Sequence, residues 1–385
     1  MTQDATPRPD LAFGQEYAPE FGRGALSVAA GGVLPRAKHA TVSLSKAQAA
    51  SVAELADAVQ ANQRRGLGRA ITLVESNKVD DRAKAYDLLR ELRRRQAAAP
   101  LPPAVRVGVS GTPGAGKSTF IDALGVKLIE AGHKVAVLAV DPSSSKTGGS
   151  ILGDRTRMGA LAASDNAYIR PSPSGNHLGG VARATREAML LVEAAGYDVV
   201  LIETVGVGQS EVAVAGMVDT FLLITLARAG DQLQGIKKGI LEMADVIAVN
   251  KSDGDNEVAA RVAARELRVA MKLISSSQGA PLPPVLTSSS YTGHGLAEVW
   301  DAVLAHRGRL VATGDLETRR AEQQRDWMWS LIDDTVLTTL RQTAAVKRGR
   351  ARWERDVMTG DLSAVDAAEA VLRAFGAHVP ATWLA

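Results

Sequence analysis

Hydrophobic positions first recur at helical spacing. From about Lys46, the residues Val52, Leu55, Ala56 and Val59 fall on one face, and Leu67, Ala70, Ile71 and Val74 repeat the pattern after Gly66 and Gly68. A third amphipathic stretch runs from Arg82 through Leu88, Leu89 and Leu92 to Arg95, and the proline-rich segment AAAPLPP at 97–103 closes it. Residues 46–100 are therefore expected to form a helical extension, preceded by a flexible tail over 1–45 with scattered Gly and Pro. The texture then changes. Short apolar runs at VRVGVS (105–110), KVAVLAVD (134–141), YDVVLIE (197–203), TFLLITL (220–226), VIAVN (246–250) and PPVLTS (283–288) are separated by amphipathic segments of helix length. Near-continuous Val, Ile and Leu runs alternating with helices predict an α/β domain over 101–310, a mostly parallel sheet with helices on both faces. Ligands bind outside the carboxyl ends of the strands in such sheets. The chemically distinctive residues do follow the runs: Gly111 to Ser118, Asp141, Glu203 to Gly206, and Asn250 to Asp253. Beyond about Leu310, Trp327, Leu331, Ile332, Val336, Leu337 and Leu340 share one helical face, so 311–385 reads as a separate helical arm.

Composition narrows the chemistry. The 385 residues suffice for two or three folding units, and no apolar run approaches the roughly 18 residues of a membrane span. A formal charge of +3 is too small for this length to mark a nucleic-acid partner, and the basic stretch KRGRAR at 347–352 reads as solvated surface. With no cysteine, thiolate nucleophiles, iron–sulfur clusters, Cys-ligated zinc and disulfides are all excluded. The first residues lack a cationic start and apolar core and carry Asp4, Asp10, Glu16 and Glu20, which argues against an export or transit signal. A soluble, cytoplasmic protein is expected.

The strongest motif is Gly111-Thr-Pro113-Gly114-Ala115-Gly116-Lys117-Ser118, which matches G-x-x-x-x-G-K-[ST] between an apolar strand and a helix expected from about Lys117 to Glu130. Its glycines let main-chain N–H groups converge on phosphate oxygens, Lys117 reaches the β and γ phosphates, and Ser118 ligates Mg²⁺, with Thr119 following in the same turn. A plain glycine turn does not explain these residues at this spacing. The base is indicated by Asn250-Lys251-Ser252-Asp253, an N-K-x-D match directly after a strand. A fixed carboxylate at Asp253 accepts from N1–H and the exocyclic amine of guanine, whereas adenine offers an unprotonated N1 there. A third base-contacting segment is expected at Thr287-Ser288-Ser289-Ser290, where many GTPases have Ser-Ala and Ser289 stands in the alanine place.

Hydrolysis needs carboxylates around the metal and water. Glu203 ends a buried strand and opens Glu203-Thr-Val-Gly206, a variant of D-x-x-G in which the Gly206 N–H can meet the γ-phosphate. Asp141 ends another strand, and Asp154 lies in Gly153-Asp-Arg-Thr-Arg157; for Asp154 a solvated turn and a metal role stand as alternatives. No Ras-type water-positioning glutamine is evident, and the role of Gln209 is open. His177 and His294 sit in glycine-rich loops and read as surface turns, leaving no transition-metal set.

The run from Asp141 to Met158, DPSSSKTGGSILGDRTRM, followed by ETVGVGQSE at 203–211, resembles the MeaB/ArgK/MMAA GTPases from about Leu55 to the C-terminal arm. The resemblance implies a SIMIBI-type P-loop GTPase domain with helical extensions, homodimeric through the C-terminal arm. It implies a chaperone of adenosylcobalamin-dependent methylmalonyl-CoA mutase that couples GTP binding and hydrolysis, with Mg²⁺, to cofactor loading and removal of damaged cofactor. By motif, Ser118, Asp141, Asp154 and Glu203 serve the metal and switches. The segment 227–238 resembles a partner-responsive switch in which Gln234 and Lys237 answer to the mutase. Arg155 departs from the family's usual Lys. A related client such as isobutyryl-CoA mutase and an ArgK-type kinase remain as alternatives, whereas a nickel-insertion GTPase would be expected to offer Cys or His ligands.

Overall fold

The computed structural model describes residues 46–140, 158–171, 178–204, 209–227, 238–275 and 281–378. The apolar stripes at the start fold into α1 (Lys46–Gln60), α2 (Arg64–Glu75) and α3 (Val79–Ala98). There follow β1 (Val105–Gly111), α4 (Lys117–Glu130), β2 (Val135–Val140), α5 (Gly159–Ala162), β3 (Ala167–Arg170), α6 (Leu178–Ala194) and β4 (Val199–Thr204). Next come α7 (Gln209–Ala215), β5 (Thr220–Leu226), α8 (Lys238–Met243), β6 (Val246–Asn250), α9 (Glu257–Ser275), β7 (Val285–Thr287) and α10 (Leu296–Thr313). The helix after the P-loop spans the expected residues, and Gly132 at φ +90° turns the chain away from its end.

Among the described residues, seven strands form one parallel sheet in the order β3-β2-β4-β1-β5-β6-β7. One of them, β3, is missing from the hydrophobic pattern. It is a four-residue edge strand in which only Ala167 is buried, so it carries no apolar run to recognise. The strand expected at 283–288 shortens to Val285–Thr287, since Pro283 and Pro284 before it have no N–H to give to a strand ladder.

The sheet is buried on both faces, as its continuous apolar strands require. On one face α1, α2, α3, α6 and α7 cover Leu138, Val140, Val200, Ile202 and Phe221. On the other, α4 and α10 cover Val107, Val109, Leu201, Leu222, Ile224 and Ala248, with Phe120 and Trp300 as the largest plugs. A third cluster joins α8 and α9 to Leu223, Ile247 and Val249. The first strand lies in mid-sheet, between β4 and β5; the chain runs from it to β2 on one side and later crosses from β4 to β5 on the other, which opens a crevice at the carboxyl ends of these strands.

Two compact units emerge, one ending at Arg320 and one running from Ala321. The helix α11 (Asp315–Gln342) crosses that boundary. In the second unit α12 (Ala344–Thr359) pairs with α13 (Ala364–Gly376), whose first turn is capped by Ser363 Oγ accepting from the Asp366 N–H. Within it Met328, Trp329, Ile332, Leu337, Met358, Val365 and Leu372 are exposed. Among the described residues no helix is long and apolar enough to cross a membrane.

Candidate nucleotide site

Glycine chemistry shapes the loop after β1. Gly111 sits at φ +147°, and a Cβ on it would stand 1.9 Å from the Ile224 carbonyl oxygen, so no other residue fits. Gly116, at φ +85°, caps α4, and a Cβ there would press within 2.9 Å of Asn250 Nδ2. Pro113, Gly114 and Thr119 are exposed and Ala115 is buried. No side chain caps α4 among the described residues, so its first-turn N–H groups and the positive end of its dipole face the crevice, an arrangement suited to phosphate.

The Lys117 side chain is folded into this loop. Its Nζ donates to the carbonyl oxygens of Gly111 at 2.9 Å and Thr112 at 3.3 Å, the posture of a cation that has protein carbonyls where phosphate oxygens would be. Burial pushes its pKa below the ordinary lysine value, while the carboxylates of Glu203 and Glu211 pull the other way. Ser118 Oγ donates to Glu203 Oε1 at 2.7 Å. A hydroxyl and a carboxylate side by side at the phosphate end are hard oxygen donors, and they fit Mg²⁺. Asp141, Asp154, Gly206, Gln234 and Lys237 lie outside the described residues, as do Arg155, Arg157 and His177.

The base-reading segments are bound to one another. Asn250, buried at the end of β6, donates from Nδ2 to the Ala115 carbonyl at 2.9 Å, and its Oδ1 accepts from Ser290 N–H at 3.2 Å and Ser290 Oγ at 3.0 Å. One amide thus ties the P-loop to both base loops. The backbone continues the tie, Ser252 N–H donating to Ser288 O and Ser288 N–H to Val249 O. Lys251 adopts φ +59°, and its side-chain stem passes the Gly116 position. Ser289 Oγ donates to Asp253 Oδ1 at 2.7 Å and itself accepts from Thr292 N–H, fixing the carboxylate expected to read guanine.

The neighbouring serines thus divide the work, Ser289 bracing Asp253 and Ser290 bonding Asn250 through both its N–H and its Oγ. Sequence reasoning assigned no role to Glu211, which is fully buried and acts electrostatically on Lys117. A charged residue on the sheet-facing side of α7 was the signal available.

Residues 67–345 match the family model described as methylmalonyl-CoA mutase-associated GTPase MeaB. A "Probable GTPase" of Mycobacterium bovis is 57% identical, covering 83% of this chain and 93% of its own length. The mitochondrial methylmalonic aciduria type A homolog of Mus musculus is 46% identical over 88% of this chain and 83% of its own. A solved structure described as a LAO/AO transport system kinase has a TM-score of 0.63 at 36% identity, covering 86% of this chain and 98% of that one. A P-loop opening onto a parallel sheet, a family model matched along most of the chain, and relatives aligned over most of their own length together make this chain a GTPase of the MeaB family.

Proposed function

We propose that this protein hydrolyses GTP as a chaperone of an adenosylcobalamin-dependent methylmalonyl-CoA mutase, gating cofactor loading so that the mutase is assembled, protected and reactivated. The observation that carries the guanine half is the Asp253 carboxylate held by Ser289, beside an Asn250 amide that joins all three nucleotide loops. The mutase half rests on the description of the family.

In this reading the Lys117 ammonium leaves the carbonyls of Gly111 and Thr112 for the β and γ phosphates, while Gly114, Ala115, Gly116 and Thr119 line the phosphate path. Ser118 and Glu203 hold Mg²⁺, joined by Asp141 and Asp154 from their motifs; when bound, the ion neutralises charge on the transferring phosphoryl group. By motif, the Gly206 N–H is assigned to the γ-phosphate, and Gln234 with Lys237 to the response to the mutase. The exposed apolar side chains of the second unit support a homodimer through that arm, since so much apolar surface is rarely left to water. We place the protein in the cytoplasm.

The test combines purified protein with a cobalamin mutase recovered by pull-down from its own cell extract. Inorganic phosphate released from GTP, faster with the mutase present, is the expected result. A captured isobutyryl-CoA mutase would change the client alone. The solved relative described as a kinase motivates the second reading, which requires phosphate on an acceptor molecule instead.

A further inference from the structure

Helix α7 starts after β4, at the carboxyl edge of the sheet, and ends before β5, so it runs back across the sheet and packs on β1 and β4. Its Val214 sets the contact, with Cγ1 2.8 Å from where a Cβ on Gly108 would stand. Glu211, three residues earlier on the same face, lies one turn nearer the P-loop, opposite the end of β1. It is fully buried. Its Oε2 accepts from Ser210 Oγ at 3.2 Å, and its Oε1 has no hydrogen-bond partner among the described residues. Thr112 Oγ1 and Thr225 Oγ1 are also buried without a partner among the described residues, and they follow the paired residues Gly111 and Ile224 at the same edge.

Ordinary structural duties do not account for this carboxylate. An acid in the first turn gains from the helix dipole while exposed, and burial adds only desolvation. Among the described residues Lys117 is a cation on which it acts, and the other anionic neighbour of Lys117, Glu203, accepts from Ser118.

We propose that Glu211 is a positioning residue for GTP binding and hydrolysis: a buried anion behind the P-loop that holds the Lys117 ammonium at the loop as phosphate arrives. The inference rests on the nucleotide reading above. A buried ammonium with less negative charge around it gains more by swinging out to water, and a phosphate contact that must first be re-formed is weaker than a preorganised one.

The test is a double-mutant cycle on the affinity for Mg²⁺ and a fluorescent GDP, measured for the unmodified protein, Glu211→Gln, Lys117→Ala and the double variant, with a urea midpoint for each. Glu211→Gln is expected to weaken GDP about tenfold in the unmodified background and to leave it unchanged or improved in the Lys117→Ala background. Glu211→Asp, which keeps the charge, should bind more tightly than Glu211→Gln. Equal weakening in both backgrounds, or a Glu211→Gln protein with full affinity, overturns the proposal while leaving the nucleotide reading intact; an unmodified protein that binds no GDP overturns both. Gln keeps the shape of Glu; should Glu211→Gln fail to fold, the same cycle run with Glu211→Met, which also removes the charge and suits a buried site, decides by the same criterion of non-additivity.

Discussion

The two edges of one sheet treat buried charge in opposite ways. At the amino edge each carboxylate is met. Asp219, fully buried, accepts from Arg320 Nε at 2.8 Å and Nη2 at 2.7 Å and from the Arg106 N–H at 3.2 Å. Asp198 accepts from Lys134 N–H at 2.8 Å and pairs with His133. Asp245 accepts from Phe221 N–H at 2.8 Å and lies 3.2 Å from His306 Nε2, while the Thr220 hydroxyl and His306 Nδ1 share a hydrogen bond at 2.9 Å. At the carboxyl edge, Glu211 Oε1, Thr112 Oγ1, Thr225 Oγ1 and Ser252 Oγ are buried with no partner among the described residues. Buried polar atoms in native proteins are normally satisfied. Four unpartnered atoms share the edge where a ligand enters, whereas at the amino edge, where Arg307 Nε beside Asp219 is also without a partner among the described residues, the carboxylates themselves are satisfied.

The largest expected effect lies at the carboxyl edge. The unmodified protein should prefer GTP over ATP by about 10⁴-fold, because adenine would leave the braced Asp253 carboxylate unpaired. Asp253→Asn should weaken GTP and improve xanthosine triphosphate, whose 2-oxo group accepts from the new amide. Competition of the three nucleotides against labelled GDP reads both, and equal binding of ATP and GTP by the unmodified protein would break the comparison. Next in size, Lys117→Ala should lower phosphate release by about 10³-fold or more in protein that urea unfolding shows to be folded, since the lost interaction is with the transferring phosphoryl group. Turnover near the original rate would mean that another cation does that work.

The carboxyl edge was also the more legible one. Its motifs are local: eight consecutive residues from Gly111 specify strand end, turn and helix start together, and the strand before them is a single apolar run. The sheet was readable for the same reason, β3 excepted, because interior strands buried on both faces cannot hide their composition. Contacts between distant segments left no such trace. Asp219 and Arg320 are 101 residues apart, and nothing in the spacing of either marks the pair. The Asn250 contact with Ala115 spans 135 residues, and its register with Ser290 depends on how β6 and β7 align. Side-chain identity shows what chemistry is available; which partner receives it is a property of the assembled sheet.

At the amino edge the comparison predicts loss of stability and no loss of chemistry. Asp219→Asn leaves Arg320 and the nearby Arg307 guanidinium, 3.8 Å away, facing a neutral amide in a buried setting. Removing one partner of such a pair typically costs about 3–5 kcal/mol. Urea unfolding should show that drop, while the folded protein binds GDP as before. A fall in GDP affinity at unchanged stability would show that the two edges are not separable in this way.

The smallest effect comes from His306. Burial lowers its pKa from the ordinary histidine value; Asp245 and Asp219 oppose the shift, and Arg319 and Arg309 add to it. A histidine that binds its proton less readily when folded favours the native state only while it is neutral. Its contribution is thus fully present above the unfolded pKa of about 6.5, declines as pH falls below that value, and levels off once the lower folded pKa is passed. The slope from one such group is at most about 1.4 kcal/mol per pH unit. His306→Gln removes the titration and keeps a side chain able to hydrogen-bond to Asp245 and Thr220. Urea midpoints taken from pH 7.5 down to 5 should fall less steeply for this variant than for the unmodified protein. The same slope in both proteins would show that the neutral imidazole between Thr220 and Asp245 is not what holds this part of the amino edge.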